Sequence, residues 1–115
     1  MGLFDWDMGT GALAADATVC AIFGLSPDEY DGRASTLAAR VHPADRPAFR
    51  AAARAVIRDG RVLDQCLRIP ETGGGHRTIE LWGRVPTADG GQAQAHLVGG
   101  VLDLGTGTGG PGHCV

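Results

Sequence analysis

The chain has 115 residues, of which 43% are hydrophobic and 20% are charged. This length and composition predict one globular domain with a single core. The formal net charge is −3 and all 10 basic residues are arginine, and this balance argues against a nucleic-acid-binding surface. No apolar run reaches the ~18 residues that a membrane-spanning helix needs. The 3 cysteines contain no CxxC pair, so the sequence predicts reduced thiols and a cytoplasmic protein.

The N-terminal part of the chain predicts a β-hairpin followed by short helical segments. Apolar and acidic side chains alternate in GLFDWDM, as they do in a half-buried strand. Asp16 has the position of a helix N-cap and Gly24 that of a helix stop. The strands are expected at residues 2–8 and 12–15, and the helical segments at 16–24, 26–29 and 34–41.

The segment from His42 to Gly60 predicts a single long helix. Its apolar residues recur at helical spacing and form one stripe: Phe49, Ala52, Ala53, Val56 and Ile57. Four arginines fall every fourth residue and are expected on the solvent side: Arg46, Arg50, Arg54 and Arg58. Pro47 fits only the first turn, which makes Asp45 the predicted N-cap and Gly60 the left-handed C-terminal stop.

After Gly60 the pattern changes to strands joined by glycine-rich turns. The strands are expected at residues 61–69, 76–85 and 92–104, with turns at 72–75 and 88–91. Together with the hairpin they predict an α+β fold, in which a five-stranded antiparallel sheet carries the short helices and the long helix on one face. Residues 105–115 are glycine-rich and are expected to form a flexible tail or linker.

Four motifs occur in an order and spacing that are familiar: GLFDWDMGTGAL, IFGLSPDEY, VHPADR and LVGGVLDL. Over residues 2–104 they resemble a PAS domain of the bacterial subclass that opens with a W-D-x-x-T-G hairpin and carries an H-P-x-D turn. We therefore expect a PAS domain at residues 1–104. The resemblance implies a small pocket between sheet and helices. It also implies a sensor or dimerisation module of a larger signalling protein, such as a histidine kinase, a cyclic-nucleotide enzyme or a serine phosphatase.

The family register assigns the two faces of the sheet to different roles. The face turned to the helices supplies most of the predicted ligand pocket, completed by two aromatic residues from the helical region: Phe23, Phe49, Gln65, Leu67, Ile69, Ile79 and Leu81. Gln65 would either orient a small organic ligand by hydrogen bonds or bond the backbone at the sheet edge.

The outer face of the sheet is the predicted surface for a homodimer partner. It carries Trp82, Glu80, Arg68 and Cys66, and aromatic side chains of this kind anchor protein interfaces. Asp103 matches the aspartate of the family's D-I-T ending, so a signal is expected to leave the domain there toward an output domain of the same chain. Leu104 and Gly105 replace the rest of that ending.

No catalytic or metal-binding spacing is present, which favours a non-catalytic domain without a metal. The flavin-binding asparagine-cysteine-arginine motif is absent, and only His42 is placed to serve as an axial haem ligand, so neither cofactor is expected. Two alternatives stay open. One is an interaction module with a filled core, and the other is a small cone-shaped α+β enzyme. The enzyme would need a buried carboxylate, whereas Asp5 and Asp7 are expected to face outward.

Overall fold

The computed structural model describes residues 1–60, 62–71, 73–86 and 96–106. Within these ranges the elements, in chain order, are β1 (Gly2–Asp7), β2 (Leu13–Ala15), α1 (Ala17–Ile22), α2 (Ala34–Ala38), α3 (Arg46–Asp59), β3 (Leu63–Pro70), β4 (His76–Arg84) and β5 (His96–Thr106). One 3-10 turn, Pro43–Asp45, leads directly into α3. No helix in the described part of the chain is long and apolar enough to cross a bilayer.

The strands form one antiparallel sheet in the order β2-β1-β5-β4-β3. The last strand is therefore the central one, paired with β1 on one side and β4 on the other. The buried residues of the strands join those of the helices in one core, while Leu3 and Leu102 on the other sheet face are exposed. This architecture confirms the predicted α+β class and the predicted one-sided sheet.

The ends of α1 and α3 show which capping predictions hold. Asp16 Oδ1 accepts a hydrogen bond from the Val19 N–H at 2.9 Å, and its Oδ2 accepts one from the Leu3 N–H at 2.9 Å. Asp16 is thus the predicted cap of α1 and also ties this helix to β1. Gly60 ends α3 with φ of 69°, as predicted. Asp45 precedes α3, but its carboxylate makes no hydrogen bond to the helix.

Several predicted boundaries need correction. Residues 27–29 form a turn rather than a helix, in which Glu29 Oε1 accepts hydrogen bonds from the N–H and the hydroxyl of Ser26. Ile57 was expected in the apolar stripe but is 43% exposed, whereas Ala53 and Val56 of the same stripe are buried. β5 continues to Thr106, two residues past the predicted end of the domain. The predicted turn at 88–91 and the tail after Thr106 lie outside the described residues.

Glycines permit the close contact between β4 and β5. A Cβ atom on Gly99 would overlap the carbonyl oxygen of Trp82, and one on Gly83 would lie 2.7 Å from the carbonyl oxygen of Val98. A Cβ on Gly100 would lie 2.7 Å from the Trp82 ring, which covers this glycine on the outer face. At Gly99 the obstacle is backbone, which cannot move without disturbing the strand pair.

We expect Gly99→Ala to lower the free energy of unfolding by about 1–3 kcal/mol, the usual cost of forcing atoms into a filled site. Gly9→Ala is the matched control, because a Cβ there meets only Asp7 Oδ1 at an ordinary 3.4 Å. Urea denaturation of both variants measures the difference. Equal stability of Gly99→Ala and the parent protein would show that β4 and β5 are not in this close register.

Candidate functional site

A cavity of about 350 Å³ lies between the inner face of the sheet and the helices. Four of the predicted pocket residues line it: Phe23, Phe49, Leu67 and Leu81. Leu67 and Leu81 project from β3 and β4, and the two phenylalanines come from the helical layer. Val101 of β5 completes the floor.

The other three predicted pocket residues lie elsewhere on the same sheet face. Ile69 and Ile79 are buried in the core, at 4% and 0% exposure, and do not line the cavity. Gln65 stands opposite Leu81 in the β3–β4 register and is half-buried, but it also lies outside the lining. Among the described residues, the structure therefore gives Gln65 no place from which to orient a ligand in this cavity.

The sequence prediction missed the part of the lining that comes from the first hairpin. Phe4, Trp6 and Met8 all line the cavity, with Phe4 and Trp6 on the inward side of β1. The Trp6 ring stacks on Phe49, with ring centroids 6.0 Å apart and an interplanar angle of 13°. The alternation of GLFDWDM contained the signal, because residues two apart on a strand share a face.

The indole Nε1 of Trp6 is a buried donor that has no hydrogen-bond partner in the described part of the chain. Buried polar atoms are rarely left in this state, since an unmet donor costs about 1–3 kcal/mol. Indole nitrogen can only donate.

Two arginines of α3 line the cavity and differ in their engagement. Arg46 Nε donates to the Val41 carbonyl at 3.0 Å, and its Nη2 donates to the Ala39 carbonyl at 2.9 Å. These carbonyls lie at the C-terminal end of α2 and just beyond it, so the Arg46 side chain caps that helix. The sequence had predicted that this side chain faces solvent. Arg50, one turn later, is exposed and also lines the cavity. No hydrogen bond or ion pair joins it to another described residue.

The H-P-x-D turn fastens the helical layer to the edge of the sheet. The His42 N–H donates to the Arg68 carbonyl at 2.8 Å, and Asp45 Oδ2 accepts from the Arg68 N–H at 2.9 Å. The Arg68 guanidinium completes a bidentate pair with Asp45, at 3.0 Å and 2.7 Å. The Arg68 side chain thus has a partner within the chain, whereas the sequence prediction placed it on the surface for a second protein.

The hydrogen bonds of this turn also engage the His42 ring and change the pKa of Asp45. His42 Nδ1 accepts from the Ala44 N–H at 3.1 Å, and His42 is not among the described residues that line the cavity. Hydrogen bonds from the Arg68 side chain, followed by its backbone N–H, lower the pKa of Asp45 against the opposing effect of burial.

Residues 12–97, most of the chain, match the sequence family described as PAS fold. The chain belongs to the PAS family. Comparison with curated proteins gives no significant match. The narrower assignment to the subclass with the W-D-x-x-T-G hairpin stays a prediction.

Solved structures agree with this assignment. The sensory box histidine kinase/response regulator of Burkholderia thailandensis E264 superposes with a TM-score of 0.72 at 26% identity, over 90% of this chain and 76% of that one. The N-terminal domain of a diguanylate cyclase with PAS/PAC sensor from Marinobacter aquaeolei gives 0.76 at 18% identity, covering 90% and 94%. A domain of the putative light and redox sensing histidine kinase from Haloarcula marismortui gives 0.74 at 19%, covering 90% and 88%. At 18% and 19% identity, the last two superpositions support the fold alone. The sensory role of this chain follows from its membership of the PAS family.

The outer face of the PAS sheet carries an apolar strip. Trp82 is half-buried because its ring lies over Gly100, so it is less exposed than expected. The strongly exposed apolar side chains beside it are Leu3, Val62 and Leu102, at 55%, 68% and 39%.

Two further residues of the outer face stand opposite each other in the β3–β4 register. They are Cys66 and Glu80, the second of which belongs to the predicted partner surface. Cys66 is disulfide-bonded, which corrects the prediction of a reduced thiol there. Cys20 is a buried free thiol, as predicted.

The end of β5 is tied to the β3–β4 hairpin through one arginine. Arg77 Nη1 lies 3.2 Å from Asp103 Oδ2, and Arg77 Nη2 lies 3.1 Å from Glu71 Oε2. Ile79 pairs with Asp103 but Thr78 pairs with Gly105, so Leu104 is the extra residue of a β-bulge. Gly105 has φ of 101°, which favours glycine. The predicted signal exit at Asp103 is thus a braced and bent strand end.

The acidic residues of β1 face away from the cavity, as predicted. Asp7 Oδ1 accepts hydrogen bonds from the Gly9 and Thr10 N–H groups of the turn. Asp5 Oδ1 lies 2.7 Å from His96 Nδ1, and this hydrogen bond raises the pKa of His96. No carboxylate is present among the described residues that line the cavity. The described residues contain no group of His, Cys, Asp or Glu side chains arranged to hold a metal ion.

We expect Asp45→Ala to lower the free energy of unfolding by about 1–2 kcal/mol at neutral pH, because the Arg68 N–H and guanidinium both lose their acceptor. The pKa of Asp45 is lowered by folding, so its contribution is present above the unfolded-state pKa and is lost as the pH falls through the folded-state pKa. Urea titrations at several pH values should therefore show the difference shrinking in acid.

Asp28→Ala is the control for this titration, since Asp28 lies exposed in the 27–29 turn. A loss for Asp45→Ala that is the same at pH 3 and pH 7 would contradict an ionised clamp between Asp45 and Arg68.

Proposed function

We propose that this PAS domain is a non-catalytic sensor that takes up a small organic ligand in the cavity between the sheet and the helices. The observation that carries the proposal is the cavity itself, about 350 Å³ with a mainly apolar lining. This volume lies at the small end of the range typical of ligand sites. A module with a filled core, the alternative from the sequence, would not need such a space.

The proposed output passes through β5. Val101 lines the cavity, and Asp103 stands two residues further along the same strand, where Arg77 braces it. A ligand that favours one position of β5 would shift the population of strand-end geometries. We propose that an output domain of the same protein reads this change. The cytoplasmic location stays a prediction from the sequence.

We propose further that the sensor works without haem or flavin. Haem iron is held by a histidine, cysteine or tyrosine side chain, or by methionine together with histidine. Of these residue types the described lining contains only Met8, with no histidine beside it. The polar part of that lining consists of Trp6, Ser35, Arg46 and Arg50, which cannot supply the general base that the enzyme alternative requires.

The neutral fluorescent probe N-phenyl-1-naphthylamine tests for the pocket. We expect it to bind the parent protein at one site and to bind Ala38→Phe at least about tenfold more weakly, since Ala38 lines the cavity and a benzyl group would occupy it. Ala51→Phe is the matched control, because Ala51 is an exposed residue of α3. Native mass spectrometry of the freshly purified protein is the parallel measurement. Identical probe binding by the parent and Ala38→Phe would overturn the pocket proposal.

A second proposed role is self-association through the outer face of the sheet. Contiguous apolar surface that is exposed on a soluble domain often marks a site of protein–protein interaction. Here Leu3, Val62 and Leu102 surround the Trp82 ring. The mutual register of β1, β5 and β4 places Leu3 and Leu102 on the same side of the sheet as Trp82. Val62 lines one shallow groove with Leu3 and Trp82, so a second copy would cover all of these residues together.

Leu3→Glu should weaken self-association at least about tenfold, because a charge would be buried in the contact. Ile57→Glu places the same charge at an exposed aliphatic residue of α3, which is 43% exposed, and serves as the control. Sedimentation velocity over a concentration series measures both. A parent protein that stays monomeric, or a Leu3→Glu variant that associates like the parent, would exclude this surface.

A further inference from the structure

We propose that His96, held between Asp5 and Asp7, is a pH-sensitive clasp that fastens β1 to β5 while its imidazole is protonated and loosens this contact as the pH rises. The inference concerns the outer face of the sheet, opposite the cavity, and does not depend on the ligand proposed above. It rests on the positions of the two ring nitrogens.

The imidazole of His96 lies between two carboxylates of the neighbouring strand. Its Nδ1 atom is 2.7 Å from Asp5 Oδ1, a hydrogen-bond distance, and its Nε2 atom is 3.7 Å from Asp7 Oδ2, within the range of an ion pair. The register explains this placement, since His96 stands opposite Asp7 and Asp5 is the next residue of β1 on the same face. Each ring nitrogen therefore has a carboxylate of its own.

Only the protonated ring satisfies both carboxylates. A neutral imidazole carries one N–H and one lone pair, so in either tautomer one nitrogen turns its lone pair toward an acid. An imidazolium presents an N–H on both sides, and its charge attracts both acids. The hydrogen bond to Asp5 raises the pKa of His96 against the opposing effect of burial, and the charges of Asp5 and Asp7 raise it further.

The other charges around this ring are few in the described part of the chain. On β4 the charged residue nearest to His96 in the register is Arg84, which pairs with Val98, two residues further along β5. Its positive charge opposes protonation of the ring. Neither β2 nor the turn at residues 8–12 carries a charged side chain. The two acids of β1 are thus the groups that hold the proton on His96.

The position of the clasp links it to the wall of the cavity. Asp7 and His96 form the last pair of the β1–β5 ladder, and the ends of strand pairings open most readily. Trp6 lies between the two acids in the sequence and points to the opposite face, where its ring stacks on Phe49. The His96 side chain is 36% exposed, so a proton reaches it without unfolding of the domain.

The sign of the pH dependence follows from the direction of the shift. Because folding raises the pKa of His96, the contribution of the clasp to stability is fully present below the unfolded-state pKa of about 6.5. It is lost as the pH rises through the folded-state pKa.

NMR titration of the histidine ring signals measures the first link, and the His96→Gln spectrum identifies the signal of His96. The pKa of His96 should fall when Asp5→Asn removes the hydrogen-bonded carboxylate, and it should fall further in the double variant that also carries Asp7→Asn. Asp28→Asn should leave it unchanged and is the matched control, because Asp28 lies exposed in the 27–29 turn. A pKa that is the same in the parent and the double variant would overturn the clasp.

Hydrogen exchange measures the second link, the hold of the protonated ring on β1. At pH 6 the amide groups of β1 should exchange about twofold to fivefold faster in His96→Gln than in the parent, as expected from one exposed ion pair. The amide groups that join β3 to β4 should keep their rates, which separates a local clasp from a general loss of stability. His76→Gln is the control, because His76 begins β4, away from β1.

Urea denaturation over a range of pH completes the test. The midpoint of the parent should exceed that of His96→Gln at pH 6, and the two should converge by pH 9. The other histidines contribute equally to both proteins and cancel. Equal exchange of β1 in the two proteins at pH 6, or a midpoint difference that is unchanged at pH 9, would overturn the switch. If His96→Gln does not fold, the titration of the Asp5→Asn variants decides the question.

Discussion

The structure depends on the insertion of the last strand between the first and the fourth. β5 pairs with β1 through residues 96–101 and with β4 through residues 98–106. These pairings join the two ends of the described chain, so the sheet cannot close until most of the chain has been made. The absence of a Cβ atom at Gly83 and Gly99 lets the two central backbones approach, and the Trp82 ring covers Gly100.

The helices cover only one face of this sheet, and this arrangement creates both candidate sites: the cavity on the inner face and the apolar strip on the outer face. Two of the three helices have only 5 and 6 residues, so they cannot fill the inner face alone. Trp6 and Phe49 span the gap by stacking, and the space that remains is the cavity. The His42–Asp45 turn holds α3 against β3 and also occupies the free backbone N–H and carbonyl of Arg68. An edge strand that is covered in this way offers less template for pairing with other chains.

Periodicity predicted what depends on local sequence, and it failed where a side chain reaches across the fold. The alternation of β3 and β4 placed Leu67 and Leu81 correctly, because strand faces follow from a period of two. It could not place Gln65, since the cavity covers only part of that face. Asp45 was predicted to cap its own helix, yet a cap position does not reveal a competing partner 23 residues away.

The same reasoning explains why β5 is suited to connect the two faces. Val101 points into the cavity while Gly100 and Leu102, its neighbours, lie on the outer face. A displacement of this backbone by a ligand would also displace the outer strip, because adjacent side chains of one strand project to opposite faces of the sheet. In the proposed mechanism, ligand and partner therefore act on one strand, and each would change the affinity for the other by the same factor. The bulge at Leu104 allows the strand end to bend without breaking the central pairing.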